Sequence, residues 1–273
     1  MTEELIIEAG RVERQYWKDL WRYRELFFIL TWRDIAVQYK QTVVGVLWAV
    51  LRPFLTMLAF TFVFGKIANL PSEGDAPYAL MVFAAMLPWQ LFSSAIGSTA
   101  NSLVANSNLV SKVYFPRIIV PAASVGVAVI DFWISSFLLG GMMVWYQYVP
   151  PLQIIAIIPL TLLAGLVALG PGLILCSLNV TYRDFRIIVP FITQFGLYVS
   201  PVGFSSAIVP EKWRFLYECN PMVGVIDGFR WAVLNSIAFP SRALCISLAC
   251  ALFFMLFGVK TFRYTERTFA DVI

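Results

Sequence analysis

The chain has 273 residues, 60% of them apolar and 13% charged, with a formal net charge of +4 and a mean hydropathy of +0.77. That balance excludes an ordinary soluble domain and describes a protein that crosses a membrane several times. Histidine is absent, which removes the commonest general base and metal ligand. The four cysteines form neither a CxxC pair nor a disulfide framework and read as packing residues.

Residues 1–42 form a charged, aromatic N-terminal region. Val12, Tyr16, Leu20, Tyr23, Phe27 and Leu30 recur on one face of a helix, with Arg11, Arg14, Lys18, Arg22 and Glu25 off that face. Such a basic amphipathic helix, carrying Trp17, Trp21 and Trp32, is expected to lie in the membrane interface; the alternative is a helix packed on a partner. Thr31 and Asp34 resemble a capping box and predict a second short helix that aims the chain into the bilayer. The first twenty-five residues mix acids and bases and offer no apolar region of the kind a secretory signal needs, so the first membrane helix is expected to act as its own address.

Residues 43–273 then carry the transmembrane domain. A crossing needs about 20 apolar residues, and six stretches qualify: 43–65, 78–100, 118–147, 152–178, 187–204 and 243–260. The third and fourth belong to one charge-free run broken at Tyr148-Val149-Pro150-Pro151, where proline ends the helix. With the N-terminus inside, fourteen of the 20 Lys and Arg residues fall on the cytoplasmic side and five outside, Arg52 standing within the first span. Both termini are therefore expected in the cytoplasm. In that topology the sequon Asn179-Val180-Thr181 faces the cytoplasm, out of reach of glycosylation.

Two charges stand inside predicted spans. Arg52 either faces a water-filled cavity or snorkels toward the headgroups. Asp131 lies thirteen residues past Ile118, about 20 Å along its helix. The favoured reading pairs it with Arg52; a neutral buried acid, or one held by a hydroxyl or indole, is the alternative. The segment 101–117 sets Leu103, Val104, Leu109, Val110 and Val113 among polar residues, a pattern for a short amphipathic helix that docks on a partner through Leu109, Val110 and Lys112. The second cytoplasmic loop adds Arg183 and Asp184 to that docking set; Asp184 reads as a loop brace and not a catalytic acid.

Residues 205–241 are too polar at Glu211-Lys212-Trp213-Arg214 and at Asp227 to Arg230 to cross, yet they pattern as two short helices split by Asn220-Pro221. Trp213, Leu216 and Tyr217 share a face of the first, and Met222, Ile226, Phe229 and Val233 a face of the second. Burial of both faces predicts a re-entrant pair in the outer leaflet that acts as a gate, formed by Trp213, Tyr217, Met222, Asp227, Phe229 and Arg230, with Asp227 and Arg230 as an i,i+3 ion pair.

The runs RDIAVQYKQTVVGVLWAVLRP (33–53), KVYFPRIIVP (112–121), YRDFRIIVPF (182–191), SPVGF (200–204), VPEKW (209–213) and NPMVGVIDGFRWAVL (220–234) together resemble the permease subunit of a type-2 ABC exporter of polysaccharides, the family that exports lipid-linked O-antigen, capsule and teichoic acid chains. Gln38 departs from it, since members usually carry a basic residue there. The resemblance implies an all-α integral membrane protein of the bacterial inner membrane: a homodimer of six-helix subunits around a continuous channel, bound to two copies of a separate ATPase that carries the ATP and Mg. Gly-Lys occurs once, at Gly65-Lys66, with no surrounding P-loop, so this chain is expected to hold no cofactor of its own. The resemblance places the channel wall on the first and fifth helices, where Trp48, Arg52, Phe54, Phe60, Phe191, Phe195 and Tyr198 offer aromatic planes for sugar C–H faces and a cation for phosphate. Its implied function is export of a lipid-linked polysaccharide, O-antigen first, with capsule or teichoic acid as the alternative. A membrane transferase lacks carboxylate clusters to work with, and a secondary transporter would show internal repeats.

Overall fold

A computed structural model describes residues 13–40, 45–74, 76–182, 184–235, 237–266 and 269. Among them every regular element is a helix, as hydrocarbon demands of a backbone that must satisfy its own N–H and C=O groups. In chain order these are α1 (Glu13–Arg22), α2 (Arg24–Lys40), α3 (Gly45–Phe60), α4 (Tyr78–Ala105), α5 (Ser107–Lys112), α6 (Ile119–Trp145), α7 (Ile157–Thr181), α8 (Phe185–Val199), α9 (Glu211–Glu218), α10 (Pro221–Leu234) and α11 (Ser241–Thr265). α3 continues to Ile67 as a wider-wound π segment that ends on the Ala68 N–H bonding the Val63 carbonyl at 2.9 Å.

Among the described residues five helical stretches are long and apolar enough to cross a membrane: Val50–Ile67, Tyr78–Ala105, Ile119–Trp145, Leu152–Thr181 and Ser241–Thr265. They fall on the predicted first, second, third, fourth and sixth spans. The predicted fifth, 187–204, is shorter than expected: α8 has 15 residues and stops at Val199. The reason is local, because Ser200 precedes Pro201 and takes an extended backbone (ψ 153°), the conformation that proline's ring imposes on its predecessor.

α4 is the axis of the fold. Leu80 to Ala85 are wholly buried on every side, and the helix packs against α3, α6, α7, α8 and α10. α7 and α11 pack backbone to backbone. A Cβ on Gly170 would lie 2.6 Å from the Phe254 carbonyl carbon, and one on Gly258 would strike the Gly170 carbonyl oxygen. Small residues at such a crossing replace the hydrophobic effect, which is weak between helices in lipid, with dense van der Waals contact.

A second, smaller core sits at the end of the bundle where α4, α7 and α11 finish and α6 begins. Leu30, Leu103, Val110, Phe115, Ile118, Cys176, Phe262 and Phe269 are buried there, with Tyr16, Leu20, Tyr23 and Phe27 packed against them. The predicted apolar stripe of the N-terminal region is thus real for its described members, Val12 lying outside the described residues, but it packs on this chain itself. Trp17, Trp21 and Trp32 stay exposed. No second helix starts at Thr31: α2 is continuous, and the Thr31 hydroxyl donates to the Phe27 carbonyl at 2.8 Å while Asp34 pairs with Arg33 at 2.6 Å. Of the cysteines only Cys176 is a core residue, in contact with Ser102; Cys219 and Cys245 are exposed and Cys250 half-buried.

Candidate functional site

α3 and α8 both pack on α4 and leave their opposite faces open. On α3 that face carries Trp48 and Arg52 at i,i+4, both exposed. Among the described residues Arg52 has no ion-pair partner. On α8 the spacing i, i+4, i+7 aligns Phe191, Phe195 and Tyr198, which are 68%, 61% and 58% exposed. Phe191 and Phe195 stack with planes 11° apart and centroids 6.2 Å apart. The two helices meet where Tyr198 stacks on Phe60 at 6.2 Å and 17°. No charged residue interrupts α8 between Arg186 and Val199. The result is a run of aromatic planes on adjoining helices, with a cation on the same open face of α3 as Trp48.

Not all of the predicted wall belongs to it. Phe60 is buried in the main core and Phe54 is half-buried against it, so they support the surface from behind. The sequence reading overlooked Ile187 and Ile192, also exposed on α8; their hydropathy alone marked them as span residues, and only the proline-limited length of α8 sets them apart.

Asp131 is not paired with Arg52. Its carboxylate accepts from the Tyr39 hydroxyl and from Gln38 Nε2 at 3.1 Å, fastening the end of α2 to α6. Burial, followed by the bond to this acid, pushes the Tyr39 phenol upward from its ordinary pKa. The hydroxyl-held alternative is the one observed. Beside it Gln90, Ser94 and Ser135 join Asp131 around a cleft between α4 and α6.

Beside the second core α5 forms as expected, but Val110 is turned into that core, 3% exposed, and Leu109 is packed against it. Val110 is thus covered by this chain itself, while Leu109 is half-buried. The open residues are Lys112, Val113 and Tyr114, together with Asp184 and Arg186 at the start of α8; Arg183 lies outside the described residues. Arg117 ties this corner to the end of α11, its backbone N–H donating to Glu266 Oε1 at 2.9 Å and Nη1 to the Glu266 carbonyl at 2.9 Å. Burial pushes the Glu266 carboxyl up and these bonds oppose it.

The α9–α10 hairpin differs most from expectation. Met222, Ile226, Phe229 and Val233 do share a buried face, yet the other face of α10 is buried too. Phe229 packs edge-on against Phe132 at 5.6 Å, and Gly224 brings the backbone of α10 against Ala243 of α11. Asp227 and Arg230 form no direct ion pair among the described contacts. Arg230, fully buried, instead donates to Glu73 Oε1 at 3.2 Å and to the carbonyls of Phe204 at 2.9 Å and Val202 at 3.2 Å. Phe229, Met222 and Arg230 are therefore interior residues of this chain, each at most 1% exposed. Trp213 and Tyr217 lie on α9, no residue of which is buried. The tip at Asn220-Pro221 reaches down beside α11, where Ser247 Oγ donates to the Pro221 carbonyl at 2.6 Å, six residues or about 9 Å in from Ser241.

The profile of a family described as "ABC-2 type transporter" matches residues 25–234. The O-antigen export system permease protein RfbA of Myxococcus xanthus is 26% identical over 94% of this chain and 98% of its own length. The protein of the same name from Klebsiella pneumoniae is 24% identical over 91% and 95%. The polysialic acid transport protein KpsM of Escherichia coli is 21% identical over 86% and 91%.

Proposed function

Because the chain belongs to the ABC-2 type transporter family, we propose that it is the permease of an ATP-driven exporter that moves a lipid-linked polysaccharide, O-antigen of lipopolysaccharide by preference, across the bacterial inner membrane. Relatives named for O-antigen export span nearly its whole length, which supports that substrate class. Relatives named for capsule and polysialic acid transport support capsular polysaccharide as the second reading.

The observation that carries the mechanism is the exposed aromatic run Phe191, Phe195 and Tyr198 beside Trp48 and Arg52. Two copies of the chain, facing each other across this surface, enclose a channel with rings for sugar C–H faces. Ring contacts at regular steps hold each unit weakly, so a chain slides from one to the next without being trapped. Arg52 meets the phosphate that leads it. α8 completes six crossings, α9 and α10 form a re-entrant hairpin at the outer mouth, and both termini are cytoplasmic. Two copies of a separate ATPase dock at the inner corner around Lys112, Val113, Tyr114 and Asp184 and supply ATP and Mg. The chain itself catalyses no reaction. Copurification tests this: a stoichiometric complex with an ABC ATPase subunit and substrate-stimulated ATP hydrolysis is expected, and a chain that purifies alone and supports no export overturns it.

A further inference from the structure

The apolar stripe of the N-terminal region is covered by this chain's own second core, against which Tyr16, Leu20, Tyr23, Leu26 and Phe27 pack. A different line of side chains is left open. Trp17, Trp21, Phe28 and Trp32 recur at steps of four, seven and four, the period of one helical face, and are 51%, 72%, 66% and 73% exposed. A contiguous row of large bare rings marks a surface that meets something other than water.

Contacts at both ends fix where this row lies. Thr31 Oγ1 donates to the Ala123 carbonyl at 3.4 Å and Gln38 Nε2 to Asp131 Oδ2 at 3.1 Å, so α2 runs beside the spanning helix α6, in the same direction, over at least eight residues or about 12 Å. Gly126 permits that approach, since a Cβ there would lie 3.0 Å from Thr31 Cγ2 and 3.4 Å from Phe27 Cζ. At the other end Arg263, in the last turn of α11, stands over the Tyr16 ring at 4.6 Å, and Tyr16 meets Trp17 edge-on at 5.9 Å. The row therefore begins level with the end of one spanning helix and continues along another. It crosses the boundary between headgroups and hydrocarbon, the depth at which tryptophan is enriched.

Cations accompany the rings at that boundary. Lys18 and Arg22 each follow a tryptophan by one residue and are exposed. Arg24, also exposed, places its guanidinium 5.6 Å from the centre of the Trp21 ring. Among the described side chains from Tyr16 to Phe28, Glu25 is the sole exposed acid, and Asp19 is half-buried. We propose that Trp17, Lys18, Trp21, Arg22 and Arg24 form a binding surface for the phosphates of anionic phospholipids in the leaflet bordering this end of the bundle, with Phe28 and Trp32 set among the acyl chains. The rings hold the depth and the cations choose the headgroup, because a zwitterionic lipid offers the same acyl chains but no net charge to three cations. A soluble partner would meet the cations and leave uncovered the part of the row that runs beside α6.

The test uses the purified protein in detergent, with phosphatidylglycerol or phosphatidylcholine added at equal concentration. The melting midpoint rises by about 3–6 °C with phosphatidylglycerol and by less than about 1 °C with phosphatidylcholine, and the difference shrinks as salt is raised. Lys18→Gln with Arg24→Gln starts within about 2 °C of the parent, since both side chains are exposed, and loses at least half of the rise. Lys66→Gln with Lys212→Gln makes the same change in net charge on other segments and keeps the full rise. Equal rises with the two lipids, or equal losses in the two double variants, overturn the site. A full rise in the Lys18 and Arg24 variant together with weaker copurification of an ABC ATPase subunit gives the surface to a protein partner and likewise overturns it.

Discussion

Replacing Glu73 with alanine removes the counter-charge of Arg230, a fully buried cation. Arg230 has no exposed side-chain surface, and Glu73 is 6% exposed at 3.2 Å. Breaking one partner of a buried pair costs about 3–5 kcal/mol, because the remaining charge is stranded. The Phe204 and Val202 carbonyls remain as acceptors, and Asp227 stands near enough to take over part of the charge. The lower half of the range therefore applies, roughly 3–4 kcal/mol, or a fall in melting midpoint of about 6–15 °C. The pH profile separates this account from a generic loss of packing. Desolvation, opposed by Ser206 and Arg230 and aided by Glu73 and Glu218, raises the Asp227 carboxyl to about 6. A carboxyl with a raised folded-state pKa contributes stability at low pH that is lost as pH rises through about 6. Without Glu73 the Asp227 pKa falls toward its ordinary value, so the variant loses less stability than the parent between pH 5 and 7. Fluorescence-monitored melting in detergent at several pH values measures both effects. A Glu73→Ala midpoint within 1 °C of the parent, with the same pH slope, refutes the assigned network.

Other outcomes follow from the same contacts. Gly258→Leu drives a side chain into the Gly170 carbonyl and separates α7 from α11, so the folded yield on size-exclusion chromatography collapses, whereas Gly140→Leu, with nothing within 4 Å of its Cβ, is recovered normally. Phe191→Ala with Phe195→Ala reduces export while the melting midpoint stays within about 2 °C, since both rings are exposed. Charge swapping between Arg52 and Asp131 does not restore a protein destabilised at Asp131; Asp131→Asn, which keeps an acceptor for Tyr39, melts above Asp131→Ala. Val110→Asp lowers folded yield because it places a charge in the second core, while Lys112→Glu with Tyr114→Ala leaves melting unchanged and weakens ATPase copurification.

The spans were legible because a crossing helix announces itself by composition over about 20 residues, and the buried face of α10 was legible from its period. The end of α8 was equally present in the sequence, in Ser200-Pro201, but a hydropathy window runs past a single proline. Amphipathic pattern shows that a face is to be buried and not against what. The stripe through Tyr16 and Phe27, the inward side of α5 and both faces of α10 all found cover within their own chain, where a partner, a membrane or a channel mouth was expected. The polar contacts were the least legible. Tyr39 meets Asp131 across 92 residues and Arg230 meets Glu73 across 157, and no local spacing encodes either. Pairing the two charges inside predicted spans, Arg52 with Asp131, overlooked the neutral side chains at the end of α2.

The glycine crossing of α7 and α11 bears on how the molecule is made. Gly170 is released into the bilayer well before Gly258 has been synthesised, so α7 spends that interval with a bare groove of backbone facing lipid tails or the insertion machinery. Its polar groups are already bonded within the helix, and waiting carries little energetic penalty. This backbone-to-backbone contact thus forms late, between finished helices. A defect in α11 would show itself as a chain inserted at normal rates and then removed by membrane proteolysis.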